Sequence, residues 1–519
     1  MQATDPDAGS VGTRAALGAA GLAAAAAIGW LASQESPLLA VVPVALPILL
    51  YLGVRPVLLL WCAIVGGLVV GGLAKLYVPQ IQLVRWALAP IAVALALHAA
   101  AGAPRRPDAP PVPLPATLGW AAAFVAVALI SSLASGLALE RFAIGIKGYF
   151  QVWGLLIALA FVAWPAGLLD RLPRVLLAIA LLQIPFVVHQ LLFLVPMREG
   201  MGEGIVPIDI VAGTFGASLE GGGANAVLNA FLIVVLSGVL AAHRLKVLSS
   251  ARLWPLAILL LLPVLSNEAK VSILYLLAAF AVLYGGDAAR SPKRFFGAAL
   301  AAGLLTTLLV WAYTLNSPSQ SRVETWQDLL RYTYEYNVAD REVHGELTRF
   351  GALEFWAKRH GLRDLEGTLL GHGVGFTRVG DSDGDLRRLV RAEDEGIPAP
   401  IDLGSNIGNT AVAALLWETG VIGLCCILGL LAAAYRAAGR LESVYGYLPE
   451  RVAVLRAARV AMAVAFIGLG HKNVLVFDVA YQTFLMLTLG LVVYWERQAS
   501  IAGLGRPARL RIRADLGRE

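Results

Sequence analysis

Long apolar runs with almost no charge recur along this chain, and they constrain its fold more than any single motif does. Ala116–Gly136 and Asn225–Ala242 contain no Asp, Glu, Lys or Arg. Crossing about 30 Å of hydrocarbon takes roughly 20 helical residues, because inside lipid every backbone amide must find its partner within a helix or a closed barrel. The short alternating segments that mark a barrel are absent. About fourteen helical spans are expected, at 14–32, 37–54, 56–74, 82–101, 116–136, 148–164, 174–195, 224–242, 253–266, 268–285, 295–315, 409–435, 457–474 and 478–495. Composition agrees: 58% of the residues are hydrophobic and 15% charged, with a mean hydropathy of +0.72. Soluble domains run near 45–50% apolar and about 25% charged. The expected fold is an all-α polytopic membrane protein. It divides into helices 1–11 over 1–315 (with a loop at 196–224), a large hydrophilic loop at 316–408, helices 12–14 over 409–495, and a basic tail at 496–519.

Orientation follows from the basic residues. With the N-terminus inside, each short inside segment carries Arg or Lys, from Arg14 and Arg55 through Arg105, Arg171, Arg244 and Arg290 to Arg436, Arg440, Arg451, Arg456 and Arg459. That is the positive-inside pattern of a bacterial inner-membrane protein with both termini cytoplasmic. Met1–Ser10 is acidic and lacks a basic n-region, so the first apolar stretch reads as a retained helix. Cys62, Cys425 and Cys426 lie in apolar runs and predict neither a disulfide nor a metal site. Membrane topology accounts for the pI near 9.2 without a nucleic-acid partner. No internal repeat is visible, which argues against transporter folds built from duplicated halves.

Three outside segments remain: Leu137–Lys147, Pro196–Ala224 and Asn316–Gly408. In the last, Leu347, Phe350, Leu353 and Trp356 recur every three residues and predict an amphipathic helix against the membrane domain. Arg349-x6-Trp356 leads into Gly371-His372-Gly373-Val374-Gly375, where glycines let amides converge on an anion and arginine adds a permanent charge. Lys270, in Ser-Asn-Glu-Ala-Lys-Val-Ser, starts an apolar helix, a costly place for a charge unless it has a function or pairs with Glu268. Arg141 and Lys147 are candidate diphosphate ligands or helix-end anchors. His471 and Lys472 near the outer end of the thirteenth span are candidates for a polar cavity. Of His344, His360 and His372, the last is the candidate base, and no pair has a recognisable metal-ligand spacing.

In order along Lys147–Gly423, these segments resemble the O-antigen ligase and Wzy-type polymerase superfamily. Gly213-Thr214-Phe215 with Asn225-Ala226 is similar to its Gly-Thr-Phe segment and following helix start. Ser266–Ser272 is similar to a Thr-x-Ser-Arg helix start with Lys270 at the arginine. Arg349, Trp356 and Gly371–Gly375 match the loop pattern, and Asn409-Thr410-x7-Glu418-Thr419-Gly420 matches His-Asn-x7-Glu-x-Gly. The resemblance implies a metal-independent, inverting membrane glycosyltransferase of GT-C-like helical architecture. No cofactor is implied. The donor is a glycan on undecaprenyl diphosphate in membrane lipid, and flippase and chain-length regulator proteins are its partners. Arg349 and Lys270, with Arg141 or Lys147, are then the cations on the diphosphate, His372 serves the acceptor, and Glu418 is a structural contact. Asn409 stands where the ligases carry a catalytic histidine, so the expectation is polymerisation rather than ligation to lipid A-core. A lipid-linked oligosaccharide flippase, or an envelope assembly partner without chemistry, are the rivals from other classes.

Overall fold

The structure is a computed structural model that describes residues 51, 53–78, 86–102, 113–199, 201, 206–219, 222–316, 326–339, 342–343, 346–378 and 407–504. The first two expected spans (14–32 and nearly all of 37–54), His344, the later half of the large loop and the tail beyond 504 lie outside these residues. The chain divides into two compact units, Met1–Leu60 and Trp61–Glu519. Everything below concerns the second.

Apart from one two-residue hairpin, the described elements are helices: α1 (Pro56–Tyr77), α2 (Leu88–Gly102), α3 (Ala116–Ala134), α4 (Leu139–Phe150), α5 (Trp153–Phe161), α6 (Leu168–Glu199), α7 (Asn225–Arg244), α8 (Ser250–Leu265), α9 (Ser272–Tyr284), α10 (Pro292–Asn316), α11 (Trp326–Tyr334), α12 (Arg349–Arg359), α13 (Leu365–Leu370), α14 (Ala411–Val444), α15 (Pro449–Leu469) and α16 (Val479–Ile501). Eight of them are long and apolar enough to cross a membrane, or nine if the bent pair α4 and α5 makes one span. Helices α2, α8 and α9 are shorter apolar helices. This is the architecture of a polytopic membrane protein.

Burial separates centre from rim. The most apolar stretch of α16 is 89% buried, whereas that of α10 is 17% buried, so α16 is a core helix and α10 presents its side chains outward. Helix α14 packs on α3 and α15, α7 on α15, and α16 on α5. The short α8 and α9 meet in a turn whose buried Asn267 docks it onto α7. Asn267 donates to Asn229 at 2.7 Å, and Asn229 donates to Ser272 at 2.6 Å. Side-chain amides that pair between helices satisfy groups that lipid cannot.

Polar contacts join segments that the sequence assigns to the same side. Arg451 binds Asp170 bidentately at 3.0 and 3.1 Å, and Arg244 meets Asp287 at 2.6 Å, all in segments read as inside. The segments read as outside bond with one another through Asn409 and Leu347, Arg349 and His471, and Asn473 and Gly408.

Within the large loop, Glu342–Val343 pairs antiparallel with Glu346–Leu347 ahead of α12. The predicted three-residue apolar stripe needs correction. Phe350 is exposed, and the buried face of α12 is Gly351, Ala352 and Phe355, which packs with Leu347, Phe376, Ile407 and Ala413 around Trp417. A period of three drifts off an α-helix, whose faces repeat every 3.6 residues. Small residues at 351 and 352 let α12 approach the start of α14 closely.

Candidate functional site

The Gly213-Thr214-Phe215-Gly216 segment is fastened from both sides by buried glutamines of α6. Gln190 accepts the amides of Ala212 and Gly213 at 3.0 and 2.8 Å and donates to the Gly213 carbonyl at 2.7 Å. Gln183 accepts the Thr214 amide at 2.8 Å, and the Thr214 hydroxyl donates to the Leu68 carbonyl at 2.7 Å. Gly72 makes this approach possible, since a Cβ there would stand 2.0 Å from the Thr214 carbonyl oxygen. Each contacting helix carries a π-helical turn beside the segment, Gly66–Val70 in α1 and Gln190–Leu194 in α6. Such turns recur at functional sites because they re-aim the residues around them.

The loop so held forms one wall of a cavity of about 340 Å³. Gly67, Gly71, Gly72, Gly216, Gly222, Gly223 and Gly408 line it, together with Lys75, Lys472, Asn409, Asn473 and Asp478. Two long helices present their N-terminal residues to it: Ala226 and Val227 of α7, and Val479 and Ala480 of α16. Gly408 and Asn409 directly precede Thr410, the N-cap of α14. Each helix N-terminus acts as roughly half a positive charge, with amides that favour anions. Asp478 is the opposing charge, and its Oδ1 also accepts the Tyr481 amide at 2.7 Å. Two lysines and these helix ends outweigh one carboxylate, and glycine walls expose backbone amides. The electrostatics suit an anion.

Two acceptors complete the lining. Asn473 donates its side-chain NH₂ to the Gly408 carbonyl at 3.0 Å, and Asn409 donates to the Leu347 carbonyl at 2.8 Å. A carbonyl can only accept, so both amide orientations are fixed. The Oδ1 atoms of Asn409 and Asn473 are buried and accept no hydrogen bond among the described residues. Unsatisfied buried acceptors are uncommon, and here they belong to a cavity wall.

The other predicted cations are not brought together in this cavity. Arg349 donates Nε to the His471 carbonyl at 2.6 Å and Nη1 to Asn337, so it fastens the segment that carries Lys472 rather than lining the cavity itself. Lys270 pairs with Glu268 at 3.0 Å. Lys147 lies over the Trp86 ring at 3.2 Å, and Arg141 over Phe376 at 5.4 Å. His471 shares the Arg349-bound segment but is not a lining residue.

The glycine-rich turn does converge amides on an anion, and that anion is Glu418. The amides of Gly375 and Thr377 each donate to its carboxylate at 3.0 Å, and the Thr377 hydroxyl donates at 2.5 Å. Gly420 breaks α14 with φ of 65°. The carbonyls freed just before the break receive the amides of His372 (2.8 Å) and Gly373 (3.0 Å), and Ser131 donates to the Glu418 carbonyl at 2.7 Å. The turn is therefore a dock between the loop and α14. The correction to its expected role is physical: its donors are already satisfied by a residue of the same chain.

His372 faces His360, Nε2 to Nε2 at 3.0 Å, and neither lines the cavity. Burial, reinforced by the neighbouring His360, holds the His372 imidazole down at about 4, and burial also lowers His360.

Sequence reasoning passed over Lys75, Asn473, Asp478, Gln183 and Gln190. Lys75 had a readable signal, a lone cation just past an apolar run that contains Gly66-Gly67 and Gly71-Gly72. The others are single polar residues whose partners lie far away in sequence. No family model matches this chain, and neither does any curated protein.

Proposed function

We propose that the protein is an inner-membrane glycosyltransferase that joins oligosaccharide repeat units carried on undecaprenyl diphosphate, working at the extracytoplasmic face in polysaccharide synthesis. The observation that carries this reading is the glycine-lined cavity, where Lys75, Lys472 and helix N-termini offer positive charge and two asparagine carbonyls wait for donors. Phe215, Gly216, Ala226 and Asn409, residues in or beside the segments that resemble the ligase and polymerase superfamily, line that same cavity. Lys75 and Lys472 neutralise the diphosphate as it leaves, which is where charge develops during transfer. The carbonyls of Asn409 and Asn473 orient sugar hydroxyls. The acceptor hydroxyl attacks the anomeric carbon with inversion, the bond to the diphosphate breaks, and Asp478 takes the hydroxyl proton. Arg349 is a positioning residue in this scheme, because it acts through the segment bearing Lys472.

The same reading completes the architecture. The twelve expected spans between 56 and 495 each fall on a described helix or bent helix pair, and with two before them they make a GT-C-like bundle of about fourteen spans. Both termini are cytoplasmic, and the cavity opens to the outer side. Flippase and chain-length regulator proteins are its working partners. In a background without the native cysteines, single cysteines at Ser319 and Ser382 are expected to react with a membrane-impermeant maleimide in intact spheroplasts. Ser500→Cys is expected to stay unlabelled. Labelling of the tail alone inverts the arrangement and puts the cavity on the wrong face.

Polymerisation is preferred to ligation because Asn409 is a carboxamide whose nitrogen already donates to Leu347. Such a group cannot act as a base near neutral pH. A deletion strain is expected to accumulate single lipid-linked repeat units and to lose long polysaccharide, and Asn409→His is expected to bring no new ligation. Long lipid-linked chains that pile up without reaching lipid A-core would make the protein a ligase.

A further inference from the structure

At the far end of α12, away from the cavity-lining residues, three side chains have the composition and spacing of a metal site. His360, Asp364 and His372 offer ligand atoms that all lie within 4.8 Å of one another. The two histidine Nε2 atoms are 3.0 Å apart, and His360 Nε2 is 3.9 Å from Asp364 Oδ2. Ligands on one tetrahedral ion with metal–nitrogen bonds of about 2.0–2.1 Å stand a little over 3 Å from each other. The observed separations bracket that value.

What distinguishes this cluster from a chance meeting of polar groups is that every member is oriented from behind. His360 Nδ1 lies 2.9 Å from the Trp356 carbonyl, which accepts a hydrogen and so leaves Nε2 with its lone pair facing the cluster. The ring is stacked on Trp356 at 5.0 Å and edge-on to Trp417 at 4.8 Å. His372 is set by its amide bond to the Trp417 carbonyl at 2.8 Å and by Phe376 at 4.8 Å. Asp364 caps α13: its Oδ1 accepts the Gly367 amide at 2.8 Å, which turns Oδ2 toward His360. Metal-bound histidines and carboxylates characteristically have such partners on their second atom. The side chain of His360 is 1% exposed and that of Asp364 is 40% exposed, so the cluster is a buried pair with one ligand at the surface.

We propose that His360, Asp364 and His372 bind one divalent transition ion of the zinc class, with water in the fourth position. Two imidazoles and one carboxylate suit such an ion better than Mg²⁺ or Ca²⁺, which take oxygen donors. The ion ties the C-terminal end of α12 to the glycine turn docked on Glu418. It is thus a clamp on the loop that carries Arg349, and it takes no part in the transfer chemistry. The inference stands on this cluster alone and does not depend on the glycosyltransferase reading.

The test uses the full-length protein without a histidine tag, purified in detergent and stripped with a chelator, then titrated with Co²⁺ and followed by visible absorption. The expected result is one equivalent of Co²⁺ giving the intense band of a four-coordinate ion, displaced by stoichiometric Zn²⁺. H372Q is expected to abolish the band. D364N, which keeps the cap acceptor at the surface, is expected to weaken binding by more than the 10–100-fold (about 1–2 powers of ten) that outer partners are worth. If H372Q does not accumulate, the wild-type stoichiometry and D364N decide the matter. No four-coordinate band in the wild type, or binding that both variants leave unchanged, overturns the proposal.

Discussion

Lys472→Ala and Lys75→Ala are each expected to stop polymer formation in a complemented deletion strain while the protein still accumulates in the membrane. Both lysines line the glycine-walled cavity, and Asp478 there takes back part of the charge they bring. Losing one donor aimed at a developing charge typically costs about 10²–10³ in rate, or roughly 3–4 kcal/mol. The second lysine and the helix ends cannot replace it, because both lysines would act on one leaving group. Lys472→Arg is expected to recover part of the activity, since charge survives while geometry changes. Arg331→Ala is the control: its pair with Glu335 is exposed, and it is expected to leave polymer unchanged. Polymer at wild-type level in both lysine variants would remove the cavity from the reaction.

Glu418→Ala is expected to be the most destabilising single change in the described part of the loop and its dock. The fully buried carboxylate takes two amides and one hydroxyl from Gly375 and Thr377. Its removal strands these donors in a dry site, at a cost of about 1–3 kcal/mol for each buried group left unsatisfied. Gly375 cannot move to relieve them, because it packs against the Arg141 carbonyl with a φ of +88°. The expected readouts are a lower melting temperature in detergent and faster proteolysis within the large loop. Glu418→Gln is expected to fall between, since its amide retains one acceptor but turns hydrogens toward donors. An unchanged melting temperature in Glu418→Ala would mean that the glycine turn does not depend on this carboxylate.

The bundle was legible because spanning a membrane is a property of composition over about 20 residues, and no distant contact can override it. Ala116–Ala134 and Asn225–Arg244 start and stop within a few residues of the expected spans. The loop was harder to read for a specific reason. Its helix buries Gly351 and Ala352, residues too small to mark an apolar face, while the conspicuous Phe350 faces outward. The site was legible only in part. Asn409 and Lys472 line the cavity as candidates, but Lys75 joins them from the opposite end of the chain, and a lone lysine past an apolar run has a common alternative as a snorkelling anchor. The glycine turn was rightly read as a concave set of amides. Which anion it holds depends on the break at Gly420, and that break shows only when α14 is seen against the loop.

The most direct test of the central claim is reconstitution of the purified protein in proteoliposomes that contain undecaprenyl-diphosphate-linked repeat units as the only glycan. The account predicts a ladder of longer lipid-linked glycans with release of undecaprenyl diphosphate, absent with the Lys472→Ala protein. Repeat units that stay single while crossing the bilayer, or that move only to added lipid A-core, would contradict it.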